Sequence, residues 1–431
     1  MTDDAGATFV IVRSTAVLAG TAWLAAATAS AQDFDGADLF VRDRGVGVRE
    51  RSHPAYEAAG LPLGAITLLP RIWIETEYTD NVFAAEHQAQ DDVVWRLRPE
   101  LTLKAEGARH QAQAYARGGI SRNLAFGSEN FQDWRLGGDG RITVAPGTRL
   151  AAGAQVSHGV EARTASGAAA SKRPIRFDAA EAHVEAARTT GRLRLSGRTE
   201  VRRIEYADGR DAHGAVLPQA NRDRTVASLG TRIDYAISPA TAVFGQIAGN
   251  VRDYRDAHAG APTRSSSGQE ALAGVNFELS GLSRGEVAAG YIRQSFDDAA
   301  YADLSGFTGQ ARLEWFPTQL TTVTAALSRT VEDAGVPGAA GSLRTEVGAG
   351  LDHELLRNLI LTARAAYAED AYNGVDRMDR RFSLTLTGTY RLNRTVGVAA
   401  ALARIDQSSS GSLRGPAYDV TRASLSVSTQ F

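Results

Sequence analysis

The chain has 431 residues, with 43 glycines, no cysteine and a formal net charge of -2; hydrophobic residues make up 43% of it, yet the mean hydropathy is slightly negative. Missing cysteines exclude a disulfide framework, and the balanced charge excludes a basic nucleic-acid surface. Beyond the N-terminus no run approaches the roughly 18 apolar residues that a membrane helix needs, so a helical membrane protein is excluded as well.

Residues 1–31 read as a secretory signal. Thr15 to Ala27 is apolar apart from Gly and Thr, and the small-residue site Ala29-Ser30-Ala31 precedes Gln32, which predicts cleavage after Ala31. Asp3 and Asp4 offset Arg13, so a start near Val10 or Val12 is an alternative. Residues 32–68 follow as a periplasmic N-terminal segment, mixing Asp33, Asp35, Asp38 and Asp43 with Arg42, Arg44, Arg49 and Arg51. Two readings of it stand side by side: a flexible tail, or a plug that folds into a barrel mouth or docks on an export partner.

From about Leu69 to Phe431 the chain repeats one pattern. Segments of alternating polarity are joined in turn by a tight turn and a longer polar loop, a meander of hairpins. Tight turns are expected at Glu106-Gly107-Ala108, Pro146-Gly147, Thr190-Gly191, Ser238-Pro239, Gly281-Leu282, Phe316-Pro317-Thr318, Leu356-Arg357-Asn358 and Asn393-Arg394. Longer links fall at about 83–91, 123–129, 162–173, 207–222, 257–264, 298–304, 332–341, 373–376 and 407–416. Eight short and nine long links join about 18 strands. The expected fold is therefore all-β, a closed antiparallel transmembrane barrel over 69–431, inserted in a bacterial outer membrane with the N-terminal segment in the periplasm.

The two strand faces separate this from a soluble sandwich. In the stretch from Val93 to Lys104, Val93, Trp95, Leu97, Pro99, Leu101 and Leu103 alternate with Arg96, Arg98, Glu100 and Lys104. The same split sets Phe382, Leu384, Leu386 and Tyr390 against Arg381, Thr385, Thr387 and Arg391. A sandwich with its apolar faces inside is the alternative, but eighteen long strands would make it unusually large. Aromatic rings settle at lipid-water boundaries. Tyr235, Trp315, Tyr390 and Phe431 fall near short turns, and Tyr78, Trp95, Trp134, Tyr254, Phe307, Phe382 and Tyr418 fall near long loops. The last strand ends on Phe431 and resembles the C-terminal signal read by the bacterial barrel-assembly machinery.

The stretch from Val48 to Gly64, then Leu69-Pro70-Arg71-Ile72, Glu77-Tyr78-Thr79-Asp80-Asn81-Val82-Phe83, Arg98-Pro99-Glu100-Leu101 and Asn130-Phe131-Gln132-Asp133-Trp134, resembles the beta-barrel porin type 2 family. The match is sharp over about 48–140 and diffuse afterwards. Members are often associated with exopolysaccharide production, so the resemblance implies an export channel for a polysaccharide; it carries over no catalytic or ligand residues.

Charges on the inner face of such a barrel line the pore. The arginines expected there are Arg96, Arg98, Arg135, Arg141, Arg192, Arg194, Arg198, Arg202, Arg232, Arg312, Arg364, Arg381 and Arg391, interleaved with acids such as Glu100, Asp139, Glu185, Asp234 and Asp352. Facing lipid at mid-membrane, each cation would cost about 2 to 4 kcal/mol. Their plain role is a mutually neutralised, solvated wall. The sharper one is an arginine track, densest from Gly191 to Arg203, for acidic sugar polymers.

No metal or cofactor is expected. Acidic loop pairs such as Asp297-Asp298 lack an EF-hand pattern, and no histidine or serine sits in a catalytic motif. An enzyme is not expected, and His353 beside Asp352 marks a strand's polar end. The expected partners are outer-membrane lipid and lipopolysaccharide, the assembly machinery at Phe431, a polysaccharide and periplasmic export components. The competing functions are a nutrient-uptake porin and a blocked barrel whose loops bind ligands at the surface.

Overall fold

A computed structural model describes residues 46–255, 262–279 and 281–431. The expected signal segment and the first part of the N-terminal segment lie outside the described residues.

In chain order the strands are β1 Leu61–Leu63, β2 Ile66–Thr79, β3 Asp92–Glu106, β4 His110–Asn123, β5 Phe131–Ala145, β6 Thr148–Val160, β7 Arg176–Thr190, β8 Leu193–Tyr206, β9 Gly209–Arg210, β10 Val216–Leu217, β11 Arg224–Ser238, β12 Thr241–Tyr254, β13 Ser266–Leu279, β14 Ser283–Phe296, β15 Leu304–Thr318, β16 Thr321–Glu332, β17 Gly341–Leu356, β18 Leu359–Asn373, β19 Met378–Arg391, β20 Val396–Ser410 and β21 Tyr418–Gln430. Strands β9 and β10 form a small hairpin in a long loop. The other nineteen make one sheet, to which β1 adds only a three-residue hairpin on β2. The remaining eighteen pair antiparallel with their neighbours, and β2 closes on β21 from Arg71↔Gln430 to Thr79↔Arg422. Closure leaves no free edge around the ring at the β2–β21 join, which is what lets strands cross lipid with their backbone groups satisfied.

These strands run from 12 to 16 residues, longer than the roughly 9 to 11 needed to cross the hydrocarbon. With strands about 4.8 Å apart and tilted by about 40°, the backbone ring is about 35 Å across. Along each strand, exposed apolar residues alternate with more covered polar ones. In β3, Trp95, Leu97 and Leu101 are exposed while Arg96, Arg98 and Glu100 are partly covered.

Among the described residues the connections fall close to where the residue pattern puts them, with three differences, and most of the expected link 257–264 lies outside the described residues. Strand β20 runs on to Ser410, so the last long link is 411–417 rather than 407–416. The barrel begins at Ile66, three residues before Leu69, because Ile66 to Leu68 pair with both β1 and β3. Strand β15 runs through Phe316 and Pro317 to Thr318 and turns at Gln319 and Leu320. A register shift between Trp315 and Thr318 takes up Pro317, which has no N–H for the ladder.

Candidate functional site: the two mouths and the inner wall

Contacts that cross the barrel fix which face is inner. At the short-turn end, residues 47–57 lie as a strap along the inside of the wall. Glu50 pairs with Arg284 on β14 at 2.6 Å, and the Val48 N–H donates to Thr322 Oγ1 on β16 at 2.9 Å. Arg49 pairs with Asp352 and Arg51 with Glu354 on β17, both at 3.0 Å, and Gln430 Nε2 on β21 donates to the Tyr56 carbonyl. Val48 is 1% exposed. Among the described residues, 47–57 are thus held in this mouth by hydrogen bonds and ion pairs.

At the long-loop end, loop 161–175, between β6 and β7, reaches the far wall. Ser166 Oγ donates to Asp370 at 3.1 Å and lies 2.6 Å from Tyr372 Oη, both on β18, and Tyr418 Oη on β21 donates to the Thr164 carbonyl. The loop is braced by Arg163 on Glu129 and by Arg222 on Glu161. Residues 333–340, which join β16 to β17, also turn inward. Asp333 takes Arg224 at 2.7 Å, Arg252 at 2.8 Å and the Tyr254 hydroxyl at 2.7 Å. Burial alone would raise its pKa, but the two guanidinium groups outweigh burial and hold it below the usual carboxylate range. Ala334, Val336 and Ala339 then pack against Tyr372 and Val375.

Between the mouths the wall is charged, and most of its charges meet a partner. Arg96 spans Glu75 and Glu77 at 2.8 Å each, and Arg98 lies 3.5 Å from Glu75. Arg198 pairs with Glu200 at 2.9 Å, and Arg364 with Asp352 at 2.5 Å. Arg232 joins Asp234 at 2.9 Å and Glu286 at 2.7 Å, and Arg381 donates to Gln407. Arg135 and Arg141 on β5, Arg194 and Arg202 on β8 and Arg391 on β19 share this face by strand alternation. Arg312 faces inward with its side chain 77% exposed, opposite Glu286 in the register and in a loose ion pair with Glu314 at 3.4 Å. Arg192 departs from expectation: it sits exposed in the turn between β7 and β8, outside both strands. The stretch 191–203 is also no open cationic track, since Arg194 is buried and Arg203 turns outward onto Glu205.

Several inner-wall rings escaped the sequence reading. A Cβ at Gly137 would fall 2.6 Å from Tyr115 Oη, and one at Gly153 would fall 2.6 Å from His183 Cε1. Both rings lie flat in slots that glycine leaves on the neighbouring strand, which keeps them out of the lumen. Alternation could have found Tyr115, between Gln113 and Arg117; the glycine slot needs the register. Two rings assigned to the outer girdle, Tyr254 and Tyr418, are each 6% exposed and point inward, drawn by Asp333 and by Thr164 with Gln407. Tyr78, Trp95, Trp134, Phe307 and Phe382 do face outward, as do Tyr235, Trp315, Tyr390 and Phe431. His353 and Asp352 lie on opposite faces of β17, His353 beside Thr321 and Asp352 beneath Arg49, so they form no dyad.

A closed barrel with an apolar belt outside and a charged wall inside is an outer-membrane β-barrel of the porin class. The family model described as Putative beta-barrel porin 2 matches residues 53–431, and the chain belongs to that family. Among solved structures, a BenF-like porin from Pseudomonas fluorescens Pf-5 is 12% identical over 84% of this chain and 99% of its own, with a TM-score of 0.44. OccK2 (OpdF) from Pseudomonas aeruginosa, in complex with glucuronate, is 10% identical over 85% of this chain and 98% of its own, with a TM-score of 0.45. No curated protein matches the sequence.

Proposed function

We propose that the barrel is an aqueous conduit across the outer membrane and that its cargo is a secreted exopolysaccharide, which enters at the strapped mouth from the periplasm. The observation that supports this best is the inner wall itself: charges paired side to side, with rings tucked flat over glycines. Such a surface offers donors and acceptors to sugar hydroxyls, while its paired charges give no strong single site in which a long polymer would stall. What favours this cargo class is the resemblance to a family whose members are often associated with exopolysaccharide production. The experiment is deletion of the gene in a polymer-secreting host. Polymer should accumulate in the periplasm, and unchanged surface polymer rejects the cargo. Planar-bilayer recording of the purified protein separates a conduit from a blocked surface-binding barrel, because a blocked barrel carries no steady current.

A further inference from the structure

Among the described residues, the longest break in the ring of ladders lies between β15 and β16. Strands β15 and β16 pair from Thr318↔Thr321 only as far as Gln310↔Ser328. Above that point β15 continues to Leu304, paired with β14 alone, and β16 continues to Glu332, paired with β17 alone. At the split, Thr308 Oγ1 donates to the Arg329 carbonyl at 2.6 Å, a side chain standing in for the ladder. Two residues on, the Val331 carbonyl takes Arg252 Nη2 from β12 at 2.9 Å. The upper part of β16 has therefore left the wall for the interior, where Asp333 anchors it. Its outward row turns with it: Leu327 is 40% exposed, Val331 only 2%.

The end of β15 laps over the displaced hairpin, for a Cβ at Gly341 would lie 3.7 Å from the Leu304 side chain. A lap joint held by side chains opens without breaking a backbone ladder, whereas opening a laddered stretch would expose unpaired N–H and C=O groups to lipid at several kcal/mol each. Outside the joint stands Phe307, 79% exposed; behind it, a Cβ at Gly306 would meet nothing. Below the joint, Arg312 presents its weakly held cation to the lumen.

We propose that the split between β15 and β16 is a lateral portal for an anionic single-chain amphiphile, its head group received by Arg312 in the lumen and its chain passing beside Phe307 into the bilayer. This route is separate from the axial one. The chain has no cysteine, so a Thr308→Cys/Thr330→Cys pair, placed where the interrupted register would continue, can staple the joint. Oleate added to the full-length protein in a planar bilayer should reduce the potassium chloride current. The oxidised staple should abolish that block while keeping the current, and reduction should restore it. Arg312→Gln should weaken the block about tenfold. An oleate block equal in the oxidised and reduced staple overturns the portal, as does no block in the unaltered protein. Oxidative cross-linking of two copies through Gly306→Cys alone also overturns it, because the free edge would then be a pairing surface.

Discussion

Arg232 shows how a charge is held in this wall. Its side chain is 2% exposed and its partner Asp234 is fully covered, with the ring of Phe244 3.5 Å from the guanidinium and Glu286 on the other side. Removing the cation leaves two carboxylates close together under cover, so Arg232→Gln should cost about 3 kcal/mol, read as an earlier urea midpoint in detergent. The glycine slots work by the opposite logic, through absence of bulk. Gly137→Leu would drive the Tyr115 ring from its place beside Gln155 into the lumen, and single-channel conductance should fall while the unfolding midpoint moves little. That these positions face inward was legible from alternation alone; that Arg232 is sealed, or that Tyr115 lies flat, depends on side chains and glycines of other strands, Phe244 and Glu286 for the one, Gly137 and Gln155 for the other.

Among the elements, the strap is held by charges rather than by a ladder. Arg49 and Arg51 are 25% and 29% exposed at their side chains and sit on Asp352 and Glu354, which are nearly covered. Partial exposure discounts each pair to about 1 kcal/mol, so the double variant Arg49→Glu/Arg51→Glu, which sets like charges together, should release the segment. Limited proteolysis in detergent should then cut within residues 46–60 while the barrel stays intact. Equal resistance in both proteins would show that the backbone contacts of Val48 and Tyr56 suffice. The strands themselves could be read from period two, because lipid and water act on alternate residues of one segment. The strap could not, since a charged stretch carries no period that says which distant carboxylates it will meet. The bend of β16 left one trace that alternation alone does not interpret: Arg329 breaks the apolar row of Val323, Ala325 and Leu327 one residue past the last pair of the ladder, before Val331 resumes it.

At the scale of the whole molecule, the strap narrows one mouth and loop 161–175 the other, and a solute on the axial path meets both. Two obstructions on one path add as resistances. Removing the strap relieves one share and shortening the loop relieves the other, each still limited by what remains. For resistances in series the conductance gain of the double variant must exceed the product of the two single gains. Proteins lacking residues 46–60, carrying a short Gly-Ser link in place of 161–175, and combining both should show this in planar-bilayer recordings at high salt, where surface charge is screened. A double gain equal to the product would mean that one of the two segments does not obstruct the path. In that case the contacts of Ser166 with Asp370 and Tyr372, or those of Arg49 and Arg51 with β17, would brace the wall without narrowing it.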